Sequence, residues 1–270
     1  SGVMGKPRTR RQEKLRRQKI AAAQRRETEG PLPDFVVLGT QKGGTSFFYR
    51  LLTEHPLVRG AAVKELHFFD KKFAEGVGWY RRCFSEGERV DGQRTITGEA
   101  SPSYLFDPRV PERMALTVPE ARLIALLRNP VDRAYSHYQM EVRRGREVRS
   151  FEVATEEEVT SIEVGENAVD VRYAYLTRGL YAEQLERFSS FANRDRLLVV
   201  KSENLFTRRL EVLKRVSTFL GLPHFESTLT PPAGGAPYEP MDPSTRRRLD
   251  EFFAPHNERL YDLLNTDFGW

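Results

Sequence analysis

The feature that most constrains this chain is Gly39-Thr40-Gln41-Lys42-Gly43-Gly44-Thr45-Ser46. It directly follows the apolar run Phe35-Val36-Val37-Leu38 and precedes Phe47, Phe48, Leu51 and Leu52 at helical spacing. A short buried strand, a glycine-rich turn and a helix stopped by His55-Pro56 leave few folds open. Two adjacent glycines let the backbone close on a bound anion. The helix behind them aims unpaired N–H groups and the positive end of its dipole at the same point. Lys42 adds a cation, and Thr45 and Ser46 add hydroxyl donors. Gln41, Lys42, Gly43, Gly44, Thr45 and Ser46 are therefore read as a phosphate-type anion site, against the plainer reading of a tight turn that happens to be rich in glycine.

Two more apolar strands follow the same logic. Leu123-Ile124-Ala125-Leu126-Leu127 leads through Arg128-Asn129-Pro130 into a helix carrying Tyr135, Tyr138 and Met140. Leu197-Leu198-Val199-Val200 follows an amphipathic helix over residues 181–191. Strands apolar on both faces and alternating with helices predict an α/β fold: a single domain with a central parallel sheet flanked by helices and a P-loop-like strand-loop-helix. The 270 residues suffice for one such domain, placed at residues 31–270. Residues 141–170 lack a clean period and are expected to form a helix plus a surface loop. The prolines and glycines of residues 226–243 forbid long regular structure, and a last helix is expected over residues 243–264.

Residues 1–30 are a basic leader or helical arm, with KPRTRRQEKLRRQKIAAAQRR over residues 6–26 carrying much of the net charge of +5. Such a stretch can bind nucleic acid or an anionic surface, dock as a helical arm, or remain a solvated leader. Nucleic acid is disfavoured, because no aromatic side chain interleaves with the charges to stack on bases. No apolar run approaches the roughly 18–20 residues of a membrane span, and no secretory leader pattern opens the chain. Cys83 is the only cysteine, so an intrachain disulfide is impossible. The expected location is cytoplasmic.

The glycine loop departs from that of a nucleoside-triphosphate enzyme. There the lysine directly follows the last glycine, but Thr45 holds that place and Lys42 lies three residues earlier. The second strand ends in Arg128-Asn129 where such an enzyme needs an acidic residue for magnesium. A cation there attracts phosphate and repels metal. The loop suits a phosphate-like group whose charge is met by side chains with no metal, as in sulfonate transfer. A metal-dependent nucleotide kinase and a non-catalytic nucleotide-binding module are the competing readings.

Several motifs in one order carry the reading further: Lys42-Gly43-Gly44-Thr45, Lys64-Glu65-Leu66-His67-Phe68-Phe69-Asp70, Gly78-Trp79-Tyr80, Ser101-Pro102-Ser103-Tyr104, Arg128-Asn129-Pro130-Val131-Asp132-Arg133-Ala134-Tyr135-Ser136-His137-Tyr138 and Phe268-Gly269-Trp270. On these the chain resembles the sulfotransferases that use 3′-phosphoadenosine 5′-phosphosulfate (PAPS), specifically the heparan sulfate branch, as a soluble member of bacterial type. The resemblance implies that the glycine loop holds the 5′-phosphosulfate and that Arg128 and Ser136 hold the 3′-phosphate. It places Tyr181, in the segment Arg178-Gly179-Leu180-Tyr181, near the donor. It also implies release of adenosine 3′,5′-bisphosphate (PAP) and a small-molecule or carbohydrate acceptor offering a hydroxyl, or secondarily an amine. Glu65 corresponds to the family's catalytic base, and Lys42 would stabilise charge on the leaving oxygen and the sulfonate. His67, two residues on and sharing a face with Glu65 if the segment is extended, is the alternative base. The plain alternative for Glu65 is a salt bridge to Lys64 or Lys71.

The departures matter too. The heparan enzymes carry a lysine where this chain has Ala100 in Glu99-Ala100-Ser101, so a second cation is missing at that position. Their donor-binding Lys-Gly-Arg turn becomes Ala233-Gly234-Gly235-Ala236-Pro237-Tyr238, leaving Gly234 and Gly235 to hold phosphate through backbone N–H groups. Acceptor contacts are placed by position alone at His67, Phe69, Glu99 and Tyr104.

Overall fold

The computed structural model describes residues 30–85, 87–165, 170–191, 194–231 and 238–270. The basic residues 6–26 and the pair Gly234 and Gly235 lie outside the described residues. Backbone contacts divide the chain into two compact units. One takes in the described residues within Arg8–Leu127 and Arg187–Pro232, the other those within Arg128–Glu186 and Ala233–Trp270.

The first unit holds a five-stranded sheet of β1 (Phe35–Gly39), β2 (Val58–Gly60), β3 (Ile96–Ala100), β4 (Arg122–Leu127) and β5 (Leu197–Lys201). Its spatial order is β2-β3-β1-β4-β5, and every neighbouring pair runs parallel. The α/β fold with a central parallel sheet is as expected. The register sets Phe35 opposite both Gly98 and Arg122, and Leu123 opposite Leu197. Because side chains alternate along a strand, Phe35, Val37, Ile124, Leu126, Leu198 and Val200 face one way. They pack on Phe47, Phe48, Leu51 and Leu52 of α1 (Thr45–Glu54). The same core takes in Val212, Leu213, Val216 and Leu220 of a helix over Arg209–Leu220. Gly98 is required in β3, since a Cβ there would lie 2.5 Å from the Phe35 ring.

β2 and β3 were not anticipated from the sequence, and the physical reason is the same for both. They replace apolar runs with polar residues whose hydrogen bonds are met inside the fold. Thr97 donates from its hydroxyl to the Arg59 carbonyl and from its N–H to Asp34, at 3.0 and 2.8 Å. Glu99 is fully enclosed. With β1 flanked by β3 and β4, the strand order reverses at β1, and its C-terminal end is where an open α/β sheet opens a crevice for ligand.

The second unit is helical. α5 (Pro130–Arg143) starts at Asn129, whose side-chain oxygen accepts from Val131 N and Asp132 N at 3.0 and 3.2 Å, with Pro130 in the first helical position. α6 (Phe151–Glu163) and α10 (Pro243–Leu264) join it around Val131, Ala134, Phe151, Ala154, Tyr175, Leu176, Leu180, Leu249 and Phe253. (Three short helices, Phe68–Lys71, Gly76–Arg81 and Val110–Thr117, are α2, α3 and α4 of the sheet unit.) The irregular middle stretch resolves into α6, anchored by the buried Glu158, which accepts from Leu176 N and Thr177 N, both at 2.8 Å. Burial pushes the Glu158 carboxyl up, and the hydrogen bonds from Thr177 and Leu176 oppose it.

Candidate active site

The glycine loop is built by close packing. Thr40 N–H donates to the Leu126 carbonyl at 2.7 Å and Gly43 N–H to the Thr40 carbonyl at 3.0 Å. A Cβ on Gly43 would lie 2.9 Å from the Thr40 methyl and 3.0 Å from the Leu126 oxygen. Any other residue there would therefore push the loop off β4. Gly44 caps α1 in the left-handed region at φ 83°, which glycine adopts without steric cost. No side chain caps α1, and its first turn carries no acidic residue. The amide donors of that turn are thus presented to an incoming anion with nothing acidic against it. Thr45 is buried, Ser46 is exposed, and Gln41 and Lys42 are half-buried. The Gln41 side-chain oxygen is enclosed with no hydrogen-bond partner among the described residues. A glycine cradle and an uncapped helix start together fit a phosphosulfate.

The second half of the site is the segment between β2 and α2. The segment is not extended, the condition under which 65 and 67 were to share a face: Glu65 and His67 are both left-handed, at φ 59° and 53°. For residues with a Cβ this conformation costs about 1 kcal/mol each or more, and such strain concentrates at functional sites. Glu65 and His67 come together by this turn instead of by strand alternation. His67 Nε2 stands 4.0 Å from a Glu65 carboxylate oxygen. On its other side, His67 Nδ1 lies 2.9 Å from Asp70 Oδ2, and Ser103 donates to the same oxygen at 2.7 Å. A carboxylate can only accept, so Nδ1 carries the proton and Nε2 is left to face Glu65. Burial raises the Asp70 carboxyl, but the hydrogen bonds from His67 and Ser103 and the charges of His67 and Lys71 win, and its pKa is lowered.

Beneath this turn sits a buried carboxylate. Glu99 accepts from Tyr80 OH at 2.7 Å, Ser101 Oγ at 2.8 Å and Tyr104 OH at 3.0 Å. Two of those hydroxyls in turn accept backbone donors of the strained segment: His67 N–H reaches Ser101 at 3.1 Å and Phe68 N–H reaches Tyr104 at 2.8 Å. Glu99, Tyr104 and Phe69 are at most 1% exposed. Acceptor contacts had been placed at these three by position, and their burial excludes that role. They hold the turn.

The loop and the turn are joined by Lys64. Its ammonium donates to Ser46 Oγ and lies 2.9 Å from a Glu65 carboxylate oxygen. Of the two salt-bridge partners weighed for Glu65, the structure selects Lys64.

The chain has matches among known proteins. A family model described as "Sulfotransferase domain" matches residues 32–232. The chain belongs to the sulfotransferase family. It is 31% identical over 262 residues to heparan sulfate glucosamine 3-O-sulfotransferase 6 of Homo sapiens, covering 88% of this chain and 73% of that protein. It is 26% identical over 314 residues to the membrane-associated sulfotransferase kil1 of Dictyostelium discoideum, covering 88% of this chain and 66% of that one. The chain thus spans 66% and 73% of the length of these two relatives. Among solved structures, a sulfotransferase from Alicyclobacillus acidocaldarius matches at 30% identity and a TM-score of 0.72, over 88% of this chain and 98% of that one. Sulfotransferases draw their sulfonate from PAPS, the donor that the sequence resemblance implied.

The remaining sulfotransferase residues expected from the sequence lie on the helical unit. Arg128 lines a cavity of about 280 Å³ together with Asp132, Tyr135, Tyr238, Met241 and Arg246, the last ion-paired with Asp132. Ser136 is buried on α5, two turns beyond Arg128. Tyr181 is buried at the start of α7 (Tyr181–Ser189), and its hydroxyl donates to the Arg128 carbonyl at 2.8 Å, fixing the backbone at that residue.

Sequence reasoning assigned no role to Asp70, Ser103 or Ser202, and named Lys64 only as an alternative salt-bridge partner of Glu65. Ser202 donates to the Gly43 carbonyl at 2.7 Å, 159 residues away in the chain. No local pattern marks it. Lys64, Asp70 and Ser103 stood inside quoted motifs, and the signal available was their adjacency to Glu65, His67 and Tyr104.

Proposed function

We propose that this chain transfers a sulfonate from PAPS to a hydroxyl of a carbohydrate acceptor, with Glu65 as the base and Lys42 as the cation at the transferring group. The observation that carries the reading is a side-chain bridge between the two halves: Lys64 bonds both Ser46, at the start of α1, and Glu65. A carboxylate so placed stands beside the anion site, and an acceptor hydroxyl attacking the sulfur would meet it. Family membership sets aside the nucleotide kinase, and the names of the heparan sulfate 3-O-sulfotransferases favour a sugar hydroxyl over an amine.

In the step, the acceptor oxygen forms a bond to sulfur while the bond from sulfur to the bridging phosphate oxygen breaks. Glu65 takes the acceptor proton, and PAP leaves with the bonding electron pair. Lys42 and the α1 amides meet the negative charge gathering on the bridging oxygen and the sulfonate. His67, oriented by Asp70 and Ser103 with its Nε2 toward Glu65, is the alternative base. We assign Arg128 and Ser136 to the 3′-phosphate on the strength of the family motif that they match.

The test is a screen of carbohydrate acceptors with radiolabelled PAPS, run beside calorimetric titration with PAP. Wild type should bind PAP and label at least one acceptor without added magnesium. Lys42→Ala should lose turnover by about 100-fold or more, the usual consequence of deleting a transition-state donor. A protein that neither binds PAP nor depends on Lys42 would sink the proposal, and full activity in Glu65→Gln would move the base to His67.

A further inference from the structure

Lys64 is a cation that touches both parts of the site. Its neighbours define its setting. The ammonium donates to Ser46 Oγ and to Glu65 Oε1, the latter at 2.9 Å. His67 stands against the other carboxylate oxygen of Glu65 at 4.0 Å. The Lys64 and Glu65 side chains are 33% and 26% exposed, so the pair is held largely out of water but not sealed in. The position where the heparan sulfate enzymes place a second lysine is Ala100, which is 1% exposed and carries no charge.

We infer that Lys64 is a positioning residue for the base: it ties the Glu65 carboxylate to the start of α1 through Ser46 and keeps that carboxylate ionised. The inference rests on the reading of Glu65 as the base and deepens it. Two consequences follow from the geometry. First, one carboxylate oxygen accepts from Lys64, and the other is the one turned toward His67. Second, an ammonium at ion-pair distance favours the charged form of its partner. A neighbouring opposite charge within about 4–6 Å lowers a carboxyl pKa by about 1–3 units, and partial exposure places this pair at the low end. A base that must be ionised to work thereby stays available at lower pH. Other charged and titratable groups around Glu65 and His67 include Asp70, Lys71, the buried Glu99 with its tyrosines, and Lys42 of the anion loop. All of these remain when Lys64 is changed.

Carboxyl carbon NMR on protein labelled at the glutamate side-chain carboxyls reads the effect directly, with the Glu65 signal identified by its loss in Glu65→Gln. In Lys64→Met the Glu65 midpoint should rise by about one pH unit, and Lys64→Arg should restore it. The acid limb of kcat/KM with the acceptor found in the screen should move by the same amount, with PAP affinity changed less than about threefold, since the cation serves the base and not the donor. If Lys64→Met fails to fold, Lys64→Gln keeps the length and polarity and is read in the same way. An unmoved Glu65 midpoint overturns the inference. So does an acid limb that stays in place while PAP affinity falls by tenfold or more, which would make Lys64 a donor-binding cation. The underlying reading fails separately: Glu65→Gln would then turn over like wild type whatever Lys64 does to the titration.

Discussion

Replacing Glu99 by glutamine asks whether the carboxyl beneath the site is held protonated. Burial drives its pKa up from 4.5 to about 7, against the hydrogen bonds from Tyr80, Ser101 and Tyr104 and the charge of His67. Between those two values the native state holds a proton that the unfolded chain has released. The stabilisation is therefore complete below pH 4.5 and is lost as the pH rises through about 7. At about 1.4 kcal/mol for each tenfold change in proton affinity, the loss amounts to about 3 kcal/mol. Because the side chain is enclosed, screening by water does not reduce that figure. Glutamine cannot titrate and keeps the shape, so the stability of Glu99→Gln relative to wild type should rise by about 3 kcal/mol between about pH 4.5 and about pH 8. Urea unfolding of both proteins across that range measures it. Fluorescence of Trp79 reports on this unit, in a Trp270→Phe background that removes the second tryptophan. A gap between variant and wild type that stays constant with pH, or narrows as pH rises, would refute the reasoning. It would mean that three hydroxyl donors outweigh burial and that Glu99 is an ordinary buried anion.

Two other variants probe the loop and the 3′-phosphate assignment. Gly43→Ala should cost about 1–3 kcal/mol and weaken PAP binding, because its Cβ meets Thr40 and the Leu126 carbonyl; wild-type stability and affinity, read by urea unfolding and calorimetry, would mean that the loop shifts freely. Arg128→Ala should weaken PAP by about 10–100-fold while leaving adenosine 5′-monophosphate unchanged, as loss of a charge-assisted bond to the 3′-phosphate requires. Equal loss for both nucleotides would remove Arg128 from that role.

Much of the fold was legible because it is written in continuous apolar runs. β1, β4 and β5 are buried on both faces, so Val, Leu and Ile stand together, and the final helix begins at the proline that the sequence marks as its start. β2 and β3 were hidden because their stability comes from partners far along the chain: Tyr49 OH donates to the Gly98 carbonyl at 2.8 Å, and Asp34 binds Thr97. The left-handed turn at 65–67 was not legible for a related reason. Its left-handed residues are held by Ser101 and Tyr104, and nothing local to the sequence announces that support.

The sequence by itself determined the anion loop and its departure from a metal-dependent one. The order of glycines, lysine and hydroxyls after an apolar strand is local chemistry, and local chemistry is encoded residue by residue. It also singled out the motif Lys64-Glu65-Leu66-His67-Phe68-Phe69-Asp70, which carries the candidate carboxylate and imidazole. Only the tertiary structure decided how they are aimed. Lys64 bonding to Ser46, Asp70 and Ser103 turning His67, and Glu99 gathering three hydroxyls beneath them all depend on strands brought side by side across long stretches of chain. Hydrogen bonds fix direction as well as distance, and the directions at this site come from residues that become neighbours only when the sheet forms.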